Sequence, residues 1–349
     1  MKAIVVEKPF SISIKDVPKP TIKHEDEVLI RVISGGICGS DIGIYNGTNS
    51  LATYPRIIGH EFGGYVEQIG KEVTRVAIGD FVAVDPVCSC GTCYACKHNR
   101  HNVCSSLTVR GVHEDGGFAE YVVVSETQCY KINPEKMDPS YVCLVEPFSV
   151  GMQVNCRANT GAGDTVLVMG SGPIGMCVML IAKQRGARVI MTDIVQERLE
   201  LAKKCGADLT INVSQQNISP IIDEMTNSEG VTVAVDTVCS LTSVPECIEL
   251  VCPAGRVIVL GLKDKPSDIP QVNITKKEVD VLGSRLNNYR FPEVISLFEE
   301  GKIDPSQIRT MVYPFEKVEE AIQTIVNNPG GVCKVNLQFS QVKEYATDV

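Results

Sequence analysis

Four cysteines, Cys90, Cys93, Cys96 and Cys104, stand in the pattern C-x2-C-x2-C-x7-C within a chain of 349 residues. Four thiolates fill a tetrahedral zinc and leave no open position, so such a site is expected to stabilise a loop and not to catalyse. Gly91, Asn99 and Asn102 suit the tight turns that a zinc knuckle needs. Free surface thiols, a redox pair and an iron–sulfur cluster also use clustered cysteines. An iron–sulfur cluster would have no partner role here, and the spacing favours structural zinc. Cys88 lies just outside the pattern and receives no assignment.

A second set of metal-type residues is dispersed. Cys38 sits in Gly35-Gly36-Ile37-Cys38-Gly39-Ser40-Asp41, His60 in Gly59-His60-Glu61-Phe62-Gly63, and Glu146 in Val145-Glu146-Pro147-Phe148. Taken singly they read as a buried thiol, a satisfied core histidine and a strand-end carboxylate. The glycines around them force tight backbone, which weakens those plain readings.

A nucleotide turn follows. Gly170-Ser171-Gly172-Pro173-Ile174-Gly175 fits G-x-G-x-x-G, comes after a β-branched run and opens a helical one. Its glycines would let a pyrophosphate approach the backbone, and the free N–H groups of the following helix would receive it. Asp193, at the end of the next strand, is placed to accept from ribose hydroxyls and to repel a 2′-phosphate, so NAD is expected over NADP. Arg198 fits equally a position along the adenine and a solvated helix face.

The elements needed to position these residues are legible. Short β-branched runs, Val28–Val32, Gly64–Ile69, Phe81–Val84 and Tyr121–Val124, make the first part β-rich. From Thr165–Met169 onward, strands (Arg188–Met191, Val231–Val235, Arg256–Leu260) alternate with helical segments (Ile174–Arg185, Gln196–Lys204, Val244–Val251), the signature of a parallel sheet built from βαβ units. Two further helices, Phe291–Glu300 and Val318–Asn327, precede a strand, Lys334–Phe339, expected to return to the β-rich part. The domains are therefore expected at 1–152 with 290–349, and at 153–289, with a polar, loosely held tail from Gln341.

Composition sets outer bounds. A formal net charge of −9 argues against nucleic-acid binding. No apolar run is long enough to span a membrane, and the N-terminus does not read as a signal peptide. Fifteen unevenly distributed cysteines in such a chain suggest thiols and metal sites in the cytoplasm, not a disulfide framework.

The order of these motifs resembles the zinc-dependent medium-chain dehydrogenase/reductase family over essentially the whole chain. The resemblance implies an α/β fold, with a GroES-like β-rich catalytic domain and a Rossmann doubly wound parallel sheet. It implies two zinc ions and NAD. Cys38 and His60 would hold the catalytic zinc. Glu146 would be a further ligand as in the sorbitol dehydrogenase-like branch, and Glu61 a carboxylate that approaches the metal transiently or through water. Ser40 would take the alcohol proton, and Asp41 would orient the His60 ring. Relatives often carry a histidine where this chain has Gly43, so the later proton route must differ.

Val84-Asp85-Pro86, the segment Gly111–Tyr121 and Ser284-Arg285-Leu286-Asn287 are similar to the starvation-sensing dehydrogenases and to enzymes oxidising hexonates such as L-gulonate or L-galactonate at carbon 5. Arg285 is then the expected partner of the substrate carboxylate, helped by Asn287 or His113; a contact to the cofactor fits Arg285 as well. L-Threonine 3-dehydrogenase and sugar-alcohol or galactitol-phosphate dehydrogenases share the pattern. An NAD- and metabolite-binding regulator is the non-enzymatic alternative. Zinc-free quinone reductases are disfavoured by the metal ligands. The resemblance also implies a homodimer or homotetramer, with Arg256–Leu260 and Val279–Leu282 pairing across a two-fold axis.

Overall fold

The computed structural model describes residues 1–261 and 266–339. The polar tail from Gln341 lies outside the described residues. The chain divides into two units, Met1–Glu146 with Phe291–Val349, and Pro147–Arg290. One boundary falls inside the helix Val145–Ala158, and the expected boundary after residue 152 lies in that same helix.

The first unit is β-rich. Its main sheet runs Cys129–Lys131, Phe81–Val84, Glu61–Ile69, Glu27–Ile37, Lys334–Gln338, Arg309–Pro314, and Tyr121–Ser125 also pairs with Glu27–Ile37. Glu27–Ile37 is buried along almost its whole length, which is why it reads as a continuous apolar run with small residues at its end. The final strand is antiparallel to it, with Val335 opposite Ile37 and Asn336 opposite Gly36. A smaller sheet joins Ser11–Asp16, Lys2–Lys8 and Arg56–Ile57. Its hairpin had no sequence expectation, because Phe10 takes the turn at φ +62° without a glycine there.

The second unit holds a six-stranded parallel sheet in the order Leu209–Asn212, Arg188–Asp193, Thr165–Met169, Val231–Asp236, Val251–Val259, Asp280–Gly283. The order reverses direction at Thr165–Met169, which creates the crevice where doubly wound sheets take ligands. The helix Pro173–Gln184 starts with proline at its first turn and buries every residue from Gly175 to Ala182. Gln196–Lys204 buries only Leu199 and Ala202; Glu197 opens it and Lys203 and Lys204 close it, matching the helix dipole.

Two details depart from expectation. The strand ending at Val259 begins at Val251, with a register shift against Val231–Asp236 where Ala254 adopts φ +59°. The helix Val145–Ala158 was read only as a strand end at Glu146. Pro147 stands in its first turn, where no N–H is needed, and a Cβ on Gly151 would lie 2.8 Å from the Cys177 backbone.

Candidate metal centres and nucleotide turn

Cys38 ends the long strand Glu27–Ile37 and caps the short helix Gly39–Tyr45, while His60 immediately precedes the strand Glu61–Ile69. These strands pair so that Gly36 lies opposite Glu61. The register brings ligand atoms of Cys38, His60 and Glu61 within 4.8 Å of one another. Glycines make this possible. Gly59 has φ +93°, and a Cβ there would lie 2.0 Å from the Phe118 ring.

Asp41 is fully buried and works on the backbone. It accepts from Cys38 N at 2.9 Å and from Gly59 N at 3.1 Å, so one carboxylate fixes both loops. Its Oδ1 lies 3.9 Å from His60 Nδ1, beyond hydrogen-bond range, so the expected orienting bond to the ring is replaced by this backbone clamp.

The centre fits a cation. His60 Nδ1, Glu61 Oε2 and Ser40 Oγ are buried without a hydrogen-bond partner, a costly state for polar atoms. Burial disfavours a charged His60, yet the Cys38 thiolate, Asp41 and Glu146 outweigh it and hold its pKa well above the usual range. Such a field attracts positive charge, and thiolate, imidazole and carboxylate are zinc donors.

Glu146 stands apart from the compact trio. It is buried in the first turn of its helix, and burial, reinforced by Glu61 and Asp85, pushes its pKa up to about 8 against the pull of His60 and Lys334. Geometry thus brings Glu61 in beside Cys38 and His60, whereas the resemblance put Glu146 first.

Sequence reasoning missed Lys334. Its side chain is 1% exposed, and Nζ donates to Glu61 Oε1 at 2.6 Å and to the Ile37 carbonyl at 3.3 Å. Burial alone would lower its pKa, but Glu61, Cys38 and Glu146 raise it. The available signal was a lysine inside the apolar run Val332–Leu337.

The cysteine cluster is equally compact. Cys93 Sγ lies 3.5 Å from Cys96 Sγ and 3.8 Å from Cys104 Sγ, and Cys104 Sγ lies 3.4 Å from Cys90 Sγ. A tetrahedral zinc with bonds of about 2.3 Å needs sulfurs about 3.8 Å apart, whereas a disulfide needs about 2 Å. Backbone N–H groups of Thr92 and Cys93 point at Cys90 Sγ, and those of Cys90 and Ser106 at Cys104 Sγ. The Thr92 hydroxyl leads in bringing the Cys90 thiol down to about 7, and the Cys96 backbone N–H leads in bringing Cys93 down to about 5. Burial raises Cys96 to about 11. Gly91 and Asn99 take positive φ of 70° and 56° in the connecting turns. Cys88 is outside the cluster and accepts from Gln128 Nε2 at 3.4 Å; burial pushes its thiol up to about 11.

In the second unit the glycine turn has the shape a pyrophosphate needs. Gly170 has φ +97°, a Cβ on Gly175 would lie 2.0 Å from the Gly170 carbonyl, and Gly172 faces open space. Pro173 and Ile174 open the helix, with no side chain capping it. Asp193 ends its strand, accepts from Ser171, Ile194 and Val195 N–H groups, and lies 3.6 Å from Arg198. Arg198 therefore packs beside the acid that would meet the ribose. Asp236 and Thr237, unremarked in the sequence, close the crevice on the other side: Thr237 Oγ1 donates to the Met169 carbonyl at 2.6 Å.

Arg285 is half-buried in the segment after Asp280–Gly283, between buried Ser284 and buried Asn287. Leu286 and Tyr289 have φ of 48° and 57°, so two non-glycine residues hold this loop in a costly conformation. His113, in the first unit, is half-buried and its Nδ1 accepts from Val109 N at 3.1 Å.

Comparison with known proteins agrees with this arrangement. Residues 24–134 match the alcohol dehydrogenase GroES-like domain, and residues 173–300 match the zinc-binding dehydrogenase domain. The starvation-sensing protein RspB of Escherichia coli K12 is 40% identical over 347 residues, covering 98% of this chain and 100% of that one. The crystal structure of rspB from E. coli CFT073, an alcohol dehydrogenase complexed with NADH, superposes with a TM-score of 0.92 at 40% identity, covering 97% and 99%. L-Idonate 5-dehydrogenase of E. coli K-12 superposes with a TM-score of 0.87 at 26% identity, covering 97% and 98%. The chain belongs to the zinc-dependent alcohol dehydrogenase family of medium-chain enzymes, with a GroES-like domain and a Rossmann sheet.

Proposed function

We propose that this protein oxidises a secondary alcohol of a hexonate, such as L-gulonate or L-galactonate at carbon 5, to the ketone, with NAD as acceptor. The observation that carries the reading is the buried set of Cys38, His60 and Glu61, whose His60 Nδ1 and Glu61 Oε2 lack partners, with the unpartnered Ser40 hydroxyl in the same turn. The rspB complex with NADH and the likeness to L-idonate 5-dehydrogenase support cofactor and substrate class.

Cys38, His60 and Glu61 would hold the catalytic zinc, with Glu146 close enough in charge terms to act on it. Zinc bound there supplies Lewis acidity, which lowers the pKa of a bound hydroxyl towards neutrality. Ser40 Oγ receives the substrate proton. Asp41 keeps the two ligand loops in place through Cys38 N and Gly59 N. The turn Gly170–Gly175 binds the NAD pyrophosphate, Asp193 the adenosine ribose, and Arg285 the substrate carboxylate. Cys90, Cys93, Cys96 and Cys104 hold a structural zinc.

The assembly we propose is a homodimer. Asp280–Gly283 is the sheet edge, and Val281 is 39% exposed there, whereas Val251–Val259 is paired on both sides and has no edge to offer. Light scattering at two masses per chain supports it, a tetramer adds a second interface, and a monomer refutes it.

Zinc-loaded protein is incubated with NAD and a panel of hexonates, polyols, threonine and simple alcohols, and reduced cofactor is followed by absorbance. Reduction with a hexonate alone supports the reading. Turnover confined to threonine or a polyol moves the substrate and removes the carboxylate role of Arg285.

A further inference from the structure

Lys334 is the unusual residue of the first unit: an ammonium with 1% side-chain exposure, against a carboxylate with none. A buried ion pair of this kind is a poor source of stability, because desolvating both charges offsets their attraction. Its position is set by strand register and not by a flexible reach, since Val335 pairs with Ile37 and Nζ also meets the Ile37 carbonyl, one residue before Cys38. Its partner carboxylate is divided. Glu61 Oε1 is taken by Lys334, and Glu61 Oε2 has no partner and lies over Gly36, where a Cβ would stand 2.3 Å away.

Charge explains the arrangement. Cys38, Glu61 and Glu146 as anions exceed the charge of a divalent cation by one, and Lys334 supplies the missing positive charge. A full grip of Glu61 on the metal would leave the buried ammonium only a carbonyl at 3.3 Å, an expensive state. Resting on the zinc reading above, we propose that Lys334 is a positioning residue that holds one oxygen of Glu61 away from the metal, making Glu61 an exchangeable and not a permanent ligand. Gly36 provides the seat that the other oxygen occupies meanwhile.

The test uses the full-length dimer or monomer as purified, with cobalt replacing zinc at the catalytic site, and two variants. In Lys334→Met, Glu61 is released to the metal. The cobalt absorption bands change in intensity and position, a chelator removes catalytic-site zinc at least about tenfold more slowly, and kcat falls while KM for NAD stays within error. Gly36→Ala displaces Glu61 Oε2 without touching Lys334 and also alters the cobalt bands. If Lys334→Met fails to fold by circular dichroism, Gly36→Ala decides. Cobalt spectra of folded variants that superpose on wild type overturn the proposal, as does faster zinc release from folded Lys334→Met. Wild-type protein with no metal beyond the cysteine cluster overturns the zinc reading itself.

Discussion

Asp193 Oδ2 accepts a hydrogen bond from the Ser171 backbone N–H at 2.9 Å, so the acid that would meet the ribose also fixes the glycine turn that would meet the pyrophosphate. Asp193→Asn keeps the size and removes the charge. It is expected to weaken NADH binding about tenfold or more, the scale of a charge-assisted hydrogen bond, and to narrow the preference over NADPH. Fluorescence titration with both cofactors reads this directly; unchanged NADH affinity would remove Asp193 from the cofactor site.

The cysteine cluster predicts a purely structural metal. Cys93→Ser should lower bound zinc by one per chain and reduce Tm by several degrees, with residual turnover of the surviving folded protein near wild type. Metal analysis and thermal scans check this. A Cys93→Ser protein with full zinc content would show that the sulfurs do not share a metal.

The Asp164 carboxylate predicts an acid-sensitive second unit. Burial alone would raise its pKa, but the Thr232 hydroxyl at 2.7 Å, the Gly161 N–H at 2.9 Å and the Arg256 guanidinium outweigh it and hold it below the usual aspartate range. A lowered native pKa contributes stability above the ordinary aspartate range that is lost as pH falls through the native value. Asp164→Asn is expected to cost about 1 kcal/mol at pH 7, discounted for partial solvent screening, and to flatten the acid limb of stability. Urea unfolding between pH 3 and 7 measures both, and parallel curves for the two proteins would refute the assignment.

Much of this was legible in the sequence because it depends on local patterns. Thr165–Met169, Phe81–Val84, Gln196–Lys204 and Val318–Asn327 match their expected spans, since uniform burial or strong amphipathicity leaves a clear period. The cysteine spacing and the glycine turn were readable for the same reason. What escaped depends on contacts distant in sequence. Lys334 and Glu61 meet only through strand pairing, and the Asp41 clamp spans Cys38 and Gly59 across separate loops. The metal trio itself took family resemblance to assemble, because its members show no common spacing.

Gly43 offers a test of the proton route. A Cβ there would meet only Asn49 Cβ and Thr48 Oγ1, both at 3.5 Å, and its φ is not positive, so a side chain fits. Gly43→His is expected to fold normally and, where proton exit limits turnover, to raise kcat about threefold or more on the acidic side of its pH profile. A superposable profile would mean that the proton leaves by a route residue 43 does not limit.

The most direct test of the central claim is a joint measurement on His60→Ala: bound zinc per chain, NADH affinity and the rate of NAD reduction with the preferred hexonate. The account predicts one zinc retained of two, NADH binding preserved, and turnover reduced by about a thousandfold or more. Two zinc ions and near-wild-type turnover in His60→Ala would contradict it.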